Sequence, residues 1–137
     1  MRNLLSTLLV FSFLFTIGCE DDKATDLVGV YNMVSYSVIG DGINIAREAD
    51  ANNSLVFVLS EGGTYSLQGM RGGESHSESG TWSTTGSTLT LITEQLESSA
   101  FIALKFNGSW QTHLSGNDMT MTIDDEGFTL TYNWDKE

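Results

Sequence analysis

Few residues of this chain are suited to chemistry, and their spacing limits what they could do. His76 stands in Glu74-Ser75-His76-Ser77-Glu78, with a carboxylate two residues away on either side. On extended backbone those three side chains share a face, as the ligands of a weak metal site would. The stretch from Gly69 to Gly80 is, however, rich in Gly and Ser, and the expectation is a mobile polar loop with no metal. The second histidine, His113, lies between Thr112 and Leu114, and alternation turns it outward. Asp118 and the run Asp124-Asp125-Glu126 flank one short segment, so they fall at its opposite ends and cannot share a cation. The run also lacks the alternating oxygen ligands of an EF-hand. No Ser elbow, His-Glu-x-x-His or P-loop is present. Ser and Asp are too numerous for chance pairs to suggest a triad. The expectation is a protein that is not an enzyme, with no catalytic residues, no metal and no cofactor.

Composition narrows the partners. The chain has 137 residues, room for one domain, and 6 Lys+Arg face 18 Asp+Glu for a formal charge of −12. Nucleic-acid binding depends on basic side chains neutralising phosphates, so this balance excludes it. The strong negative charge also resists self-association, and a monomer is expected. With one cysteine, no internal disulfide can form.

That cysteine sits at a telling place. Met1-Arg2-Asn3 is a short basic start, followed from Leu4 to Ile17 by an apolar run too short for a comfortable membrane span. Thr16-Ile17-Gly18-Cys19 then resembles the lipobox of bacterial lipoproteins, with Thr16 where Leu is usual. The resemblance implies a signal peptide over residues 1–18 and acylation of Cys19, which would hold the chain on a membrane permanently. Glu20-Asp21-Asp22-Lys23 resembles the surface-export signal of Bacteroidetes lipoproteins, and residues 19–26 would form an acidic tether. Loss of Arg2 with the signal would leave 5 basic residues against the 18 acidic ones. The implied location is the cell envelope, lipid-anchored to the outer membrane on its periplasmic or its surface-exposed face.

From residue 27 onward the pattern has a period of two. Met119-Thr120-Met121-Thr122-Ile123 and Phe128-Thr129-Leu130-Thr131-Tyr132-Asn133-Trp134 alternate apolar with polar residues, as half-buried strands do. Strands are predicted at 27–38, 54–60, 64–70, 78–84, 87–93, 100–106, 109–115, 119–124 and 127–134. The one helical candidate is Asn44 to Ala51. Gly-containing turns at short intervals make an up-and-down antiparallel meander of about eight to nine strands. Facing residues of a hairpin point to the same side. That rule predicts the pairs Leu59–Tyr65, Trp82–Leu89, Leu114–Met119 and Ile123–Phe128. It also predicts Leu104–Trp110 across a three-residue loop Phe106-Asn107-Gly108, with Ile102 on the same face. One apolar face shared by every strand must be buried on itself, and a twisted sheet achieves this by closing. The fold class is therefore all-β, a closed antiparallel barrel over 27–134 with a short tail at 135–137.

Leu27-Val28-Gly29-Val30-Tyr31, Leu55-Val56-Phe57, Gly63-Thr64-Tyr65, Gly80-Thr81-Trp82 and Leu89-Thr90-Leu91 resemble, in order and kind, the small lipocalin-like lipoprotein domains of Bacteroidetes. Tyr31 stands where the Gly-x-Trp start of lipocalin-type barrels has Trp. The resemblance implies an eight-stranded barrel and a small apolar ligand held in the lumen. The candidate lining residues are Tyr31, Met33, Phe57, Tyr65, Trp82, Trp110, Met121 and Tyr132. The same large side chains could instead fill the lumen. The barrel would then act through its outer surface and its long loops at 39–53 and 69–80, as a protein-interaction or inhibitor module with a partner the sequence does not identify.

Overall fold

Wherever Thr, Ser or Gln alternates with large apolar residues, the backbone is extended and the apolar set points one way. In the computed structural model, which describes residues 26–98 and 106–137, the strands are β1 (Gly29–Gly40), β2 (Ile43–Glu48), β3 (Ser54–Leu59), β4 (Thr64–Arg71), β5 (Glu74–Thr85), β6 (Thr88–Ser98), β7 (Gly108–Ser115), β8 (Asp118–Asp125) and β9 (Phe128–Lys136). All pairings between them are antiparallel. The sheet runs β2-β1-β3-β4-β5-β6-β7-β8-β9 and closes through a β1–β9 ladder. Eight strands thus make the barrel, and β2 extends the sheet beyond it. The signal and lipobox residues and the apolar pair Ile102 and Leu104 lie outside the described residues.

β1 has two partners on one of its edges. Gly29 to Asn32 pair with β3, and Ser35 to Gly40 pair with β2. The opposite edge follows β9 throughout, with a bulge between Met33 and Ser35. A bulge of this kind re-aims the strand and increases its twist.

Both ends of the barrel take their character from the turns. The lower end carries the turns after β3, β5 and β7, and it is plugged by Leu27 and Tyr31, whose hydroxyl donates to the Leu27 carbonyl at 2.7 Å. The upper end carries the turns after β1, β4 and β8. There Gly72-Gly73 joins β4 to β5 with φ of +59° and +83°, a tight two-residue hairpin that glycine adopts without strain.

Four expectations are corrected. Asn44 to Ala51 is not helical: Ile43–Glu48 is β2, because the tight Asp41-Gly42 turn folds it back on β1 and that pairing overrides local helix preference. Gly69 to Gly80 is not a loop but the β4–β5 hairpin, with His76 and Glu78 buried on its inner face. β7 pairs directly with β6, with Leu89 opposite Trp110, and Phe106 lies outside any strand; the rest of the predicted strand 100–106, with the pair Leu104–Trp110, lies outside the described residues. Two hairpin registers are each displaced by two residues, with Trp82 opposite Leu91 and Ile123 opposite Leu130. At β8–β9 the two-residue turn Glu126-Gly127 replaces the four-residue loop expected, and at β5–β6 the two-residue turn is Gly86-Ser87 instead of Thr85-Gly86. The pairs Leu59–Tyr65 and Leu114–Met119 stand as predicted.

β4 leaves no room for a side chain at Gly69, where a Cβ would fall 1.8 Å from the Ser54 carbonyl oxygen on β3. Gly69→Ala should lower unfolding free energy by about 1–3 kcal/mol in urea titration. Gly72→Ala, whose Cβ meets open space, should cost about 1 kcal/mol or less, from backbone strain alone.

Candidate functional site

The interior is mostly aromatic. Phe57 lies 5.3 Å from Trp134 and 6.0 Å from Tyr65 between ring centroids, and Tyr132 lies 5.9 Å from both Trp134 and Trp110. Phe106 enters this group from beyond β6 and stacks on Trp110 at 5.3 Å. Such offset and edge-on contacts add to the burial of the rings themselves. Of the candidate lining residues, Tyr31, Met33, Phe57, Tyr65, Trp110, Met121 and Tyr132 are buried in this core. Trp82 packs against this core from the lower end, half-buried, its indole N–H donating to the Ser60 carbonyl at 2.9 Å.

Within that core lies a carboxylate. Glu78 is 1% exposed, a burial that requires its charge to be well satisfied. One oxygen, Oε2, accepts from the Tyr65 hydroxyl at 2.8 Å and from the Thr93 hydroxyl at 3.3 Å. The Phe106 backbone N–H donates to both carboxylate oxygens at 3.1–3.2 Å. The Trp110 indole donates to the Phe106 carbonyl at 2.8 Å, so both backbone polar groups of Phe106 are held. His76 Nε2 sits 3.6 Å from Oε1, close enough for charge attraction but beyond a hydrogen bond, while Nδ1 is 3.1 Å from the Ser98 hydroxyl.

These groups shift one another's protonation. Burial pushes the Glu78 carboxyl up. The groups around it, the His76 ring and the Tyr65 hydroxyl first and then the Phe106 amide, outweigh that and hold it below its ordinary 4.5. The Tyr65 hydroxyl is pushed well above its ordinary value, chiefly by burial. Tyr31 is raised to about 12 by burial and by the charge of Asp26.

Above Glu78 the lumen-facing side chains change character. The Arg71 guanidinium lies over the Phe106 ring at 5.9 Å, and Nη2 donates to the Tyr132 hydroxyl at 3.1 Å. Tyr36 stacks on Tyr132 at 5.8 Å. Cross-strand partners share a face. Arg47 opposite Tyr36, Ile45 and Leu130 opposite Val38, and Ile43 opposite Gly40 therefore continue the inner surface of the barrel onto β2. Ile43 and Ile45 are each 41% exposed. The upper rim is thus an apolar strip that starts in the core and ends in solvent, with two arginines at its base.

The other sequence candidates do not join this site. His113 is exposed, and it lines a shallow surface concavity with Leu27 and Leu114 at the lower end. The acidic turn Asp124 to Glu126 borders a separate surface concavity. Among the described residues no three His, Cys, Asp or Glu side chains converge as metal ligands would. Glu78 and Arg71 were missed as site residues because alternation with Ser and Gly hides which face is buried. The one available signal was the parity that places His76 and Glu78 on the face of Trp82.

A closed eight-stranded antiparallel barrel with one extra strand defines a lipocalin-like architecture. The family model for the lipocalin-like domain matches residues 27–110, and the chain belongs to that family. No curated protein and no solved structure matches it. The matched segment runs from Leu27 to Trp110; β8 and β9, which complete closure, follow it.

Glu78 ties stability to pH. Its carboxyl is depressed in the folded state, so its contribution is complete above about pH 4.5 and disappears as pH falls through the folded value. Urea midpoints should therefore fall steeply below that pH. Glu78→Gln should lower stability at pH 7 by about 3 kcal/mol and flatten this acid limb, as guanidinium or urea titration from pH 3 to 7 would show.

Proposed function

We propose that this chain is a membrane-anchored binding protein that takes a small, largely apolar molecule at the upper rim of its barrel. The observation that carries this reading is the lumen-facing strip Tyr36, Val38, Ile45, Ile43 and Leu130, continuous with the core and partly open to solvent. An apolar surface joined to a few placed polar groups is what small-molecule sites present. The aromatic packing beneath it favours the rim over the deep lumen as the seat of the ligand. The exposed outer-face residues Val34, Ile39, Val56 and Ile92 stand on β1, β3 and β6 and support a protein-docking role less well.

Anchoring is the second half of the proposal, and it rests on the lipobox resemblance at Cys19. The chain reaches the barrel at Asp26 on the lower end, where Lys136 Nζ donates to the Asp26 carbonyl at 2.7 Å. A tether from Cys19 to Asp26 spans at most about 25 Å when extended, which places the lower end near the membrane and the ligand rim away from it.

Two measurements test these halves separately. The Cys19→Ala chain should move from the membrane to the soluble fraction; retention on the membrane would remove the anchor from the account. On that released full chain, 1-decanol should raise the melting temperature, and Ile45→Asp should abolish most of the rise. Decanol without effect, together with capture of a defined protein partner by the outer surface, would favour the interaction module instead.

A further inference from the structure

We infer that the outer edge of β2 docks an extended peptide that alternates apolar and basic residues and joins the sheet as a further antiparallel strand. This goes beyond the small-molecule reading and does not depend on it, because it uses the backbone edge of β2 and not the inner surface of the rim. Topology supports it first. Among the described residues β2 is the one strand with a single neighbour, β1. Its register shows which backbone groups are left over, since antiparallel partners exchange both bonds only at alternate pairs. The Ala49 N–H donates to the Val34 carbonyl at 2.9 Å, and the same register runs unbroken to Ile43 opposite Gly40. Arg47, Ile45 and Ile43 therefore turn their N–H and C=O groups toward β1. Those of Asn44, Ala46 and Glu48 point away from it, and all six residues of the strand are exposed.

The edge is also unguarded. Sheets protect an exposed edge with proline, lysine, a bulge or a very short strand. β2 has none of these: the chain contains no proline, the strand reads Ile-Asn-Ile-Ala-Arg-Glu over six residues, and its pairing with β1 has no irregularity. Strand addition to such an edge draws affinity from main-chain bonds and specificity from alternate side chains. The side chains of β2 select the partner. Residues of an added strand that bond to Asn44, Ala46 and Glu48 share the outer face with them, and the residues between fall beside Ile43 and Ile45 on the inner face. Both isoleucines are 41% exposed, so the inner positions take apolar residues. The outer positions lie beside Glu48, and Asp41 and Asp50 bracket the strand, so that three carboxylates face one arginine along 41–50 and favour cations. A second copy fits less well, because each copy has a formal charge of −12 and would bring the same carboxylates to the contact.

Titration calorimetry of the full Cys19→Ala chain with four end-capped seven-residue peptides tests the assignment. One alternates Lys and Val, one alternates Glu and Val, and two are the Lys–Val peptide methylated on the backbone nitrogens of its lysines or of its valines. The lysine nitrogens face β2, so their methylation should weaken binding about tenfold or more, whereas methylation of the valine nitrogens should leave it within about threefold. The Glu–Val peptide should bind at least about tenfold more weakly than the Lys–Val peptide. Ala46→Pro removes the central outward donor while sparing the ladder to β1, and it should weaken the Lys–Val peptide about fivefold or more. Ala46→Val keeps that donor and should stay within about twofold of the parent. If Ala46→Pro does not fold, the methylated peptides test the same bonds on the unaltered strand. Equal effects of the two methylation patterns would overturn strand addition in favour of attraction by charge alone. Tighter binding of the Glu–Val peptide would overturn the basic partner, and no binding by any of the four would overturn the docking site. Sedimentation of the chain alone as a dimer that Ala46→Pro dissociates would replace the peptide with a second copy.

Discussion

β1 must serve three neighbours with two edges, and the architecture follows from how it does so. One edge is committed to β9 for the whole length of the barrel, because that ladder closes the sheet. The other edge is divided: β3 takes the lower residues, and β2 takes the upper ones. The hand-over falls at Val34, where the Ala49 N–H donates to the Val34 carbonyl and the Met33–Ser35 bulge lies against β9. Above that point β3 has ended. β2 therefore continues the inner surface beyond β3, and the partly exposed strip arises from this division. A β1 paired with β3 along its full length would have given a barrel with no such shelf.

Beneath the shelf the core reconciles two opposed demands. Large aromatic side chains fill the barrel and supply most of its apolar burial. Yet Phe106 belongs to no strand, and its peptide lacks ladder partners while lying inside. An unpaired buried N–H would be costly. Glu78 supplies the acceptor for that N–H, and Trp110 supplies the donor for the carbonyl. Tyr65 and Thr93 then stabilise the carboxylate in turn. A charge in the middle of a greasy barrel is thus the means by which an irregular segment is admitted to the core, at the cost of stability in acid.

Much of the fold was legible because a period of two is hard to mistake when one face is Met, Leu and Trp and the other is Thr. β8 and β9 have that contrast, and so do Leu89 and Leu91. Register was less legible: a shift of two keeps every side chain on its correct face, so parity cannot distinguish Ile123–Phe128 from Ile123–Leu130. The failures share a different cause. Residues 69–80 alternate as well, but Ser faces out while His, Glu and Gly face in, so hydrophobicity carries no contrast. Asn44 to Ala51 contains good helix formers, and only the neighbouring Asp41-Gly42 turn and the unpaired upper edge of β1 turn it into a strand. Arg71 sits next to two glycines and looks like a loop cation until the strand that ends on it is seen.

Why the rim and not the lumen should hold a ligand follows from packing. A ligand in the lumen must displace rings already in contact at 5–6 Å, and overpacking a filled core is itself destabilising. At the rim the contacts are incomplete: Val38 and Tyr36 are half-buried, and Ile45 has its partner on only one side. Covering them removes apolar surface from water without disturbing the rings beneath. In a barrel built this way, the apolar surface still open to be covered lies where β2 leaves the closed sheet, and the aromatic core is its floor.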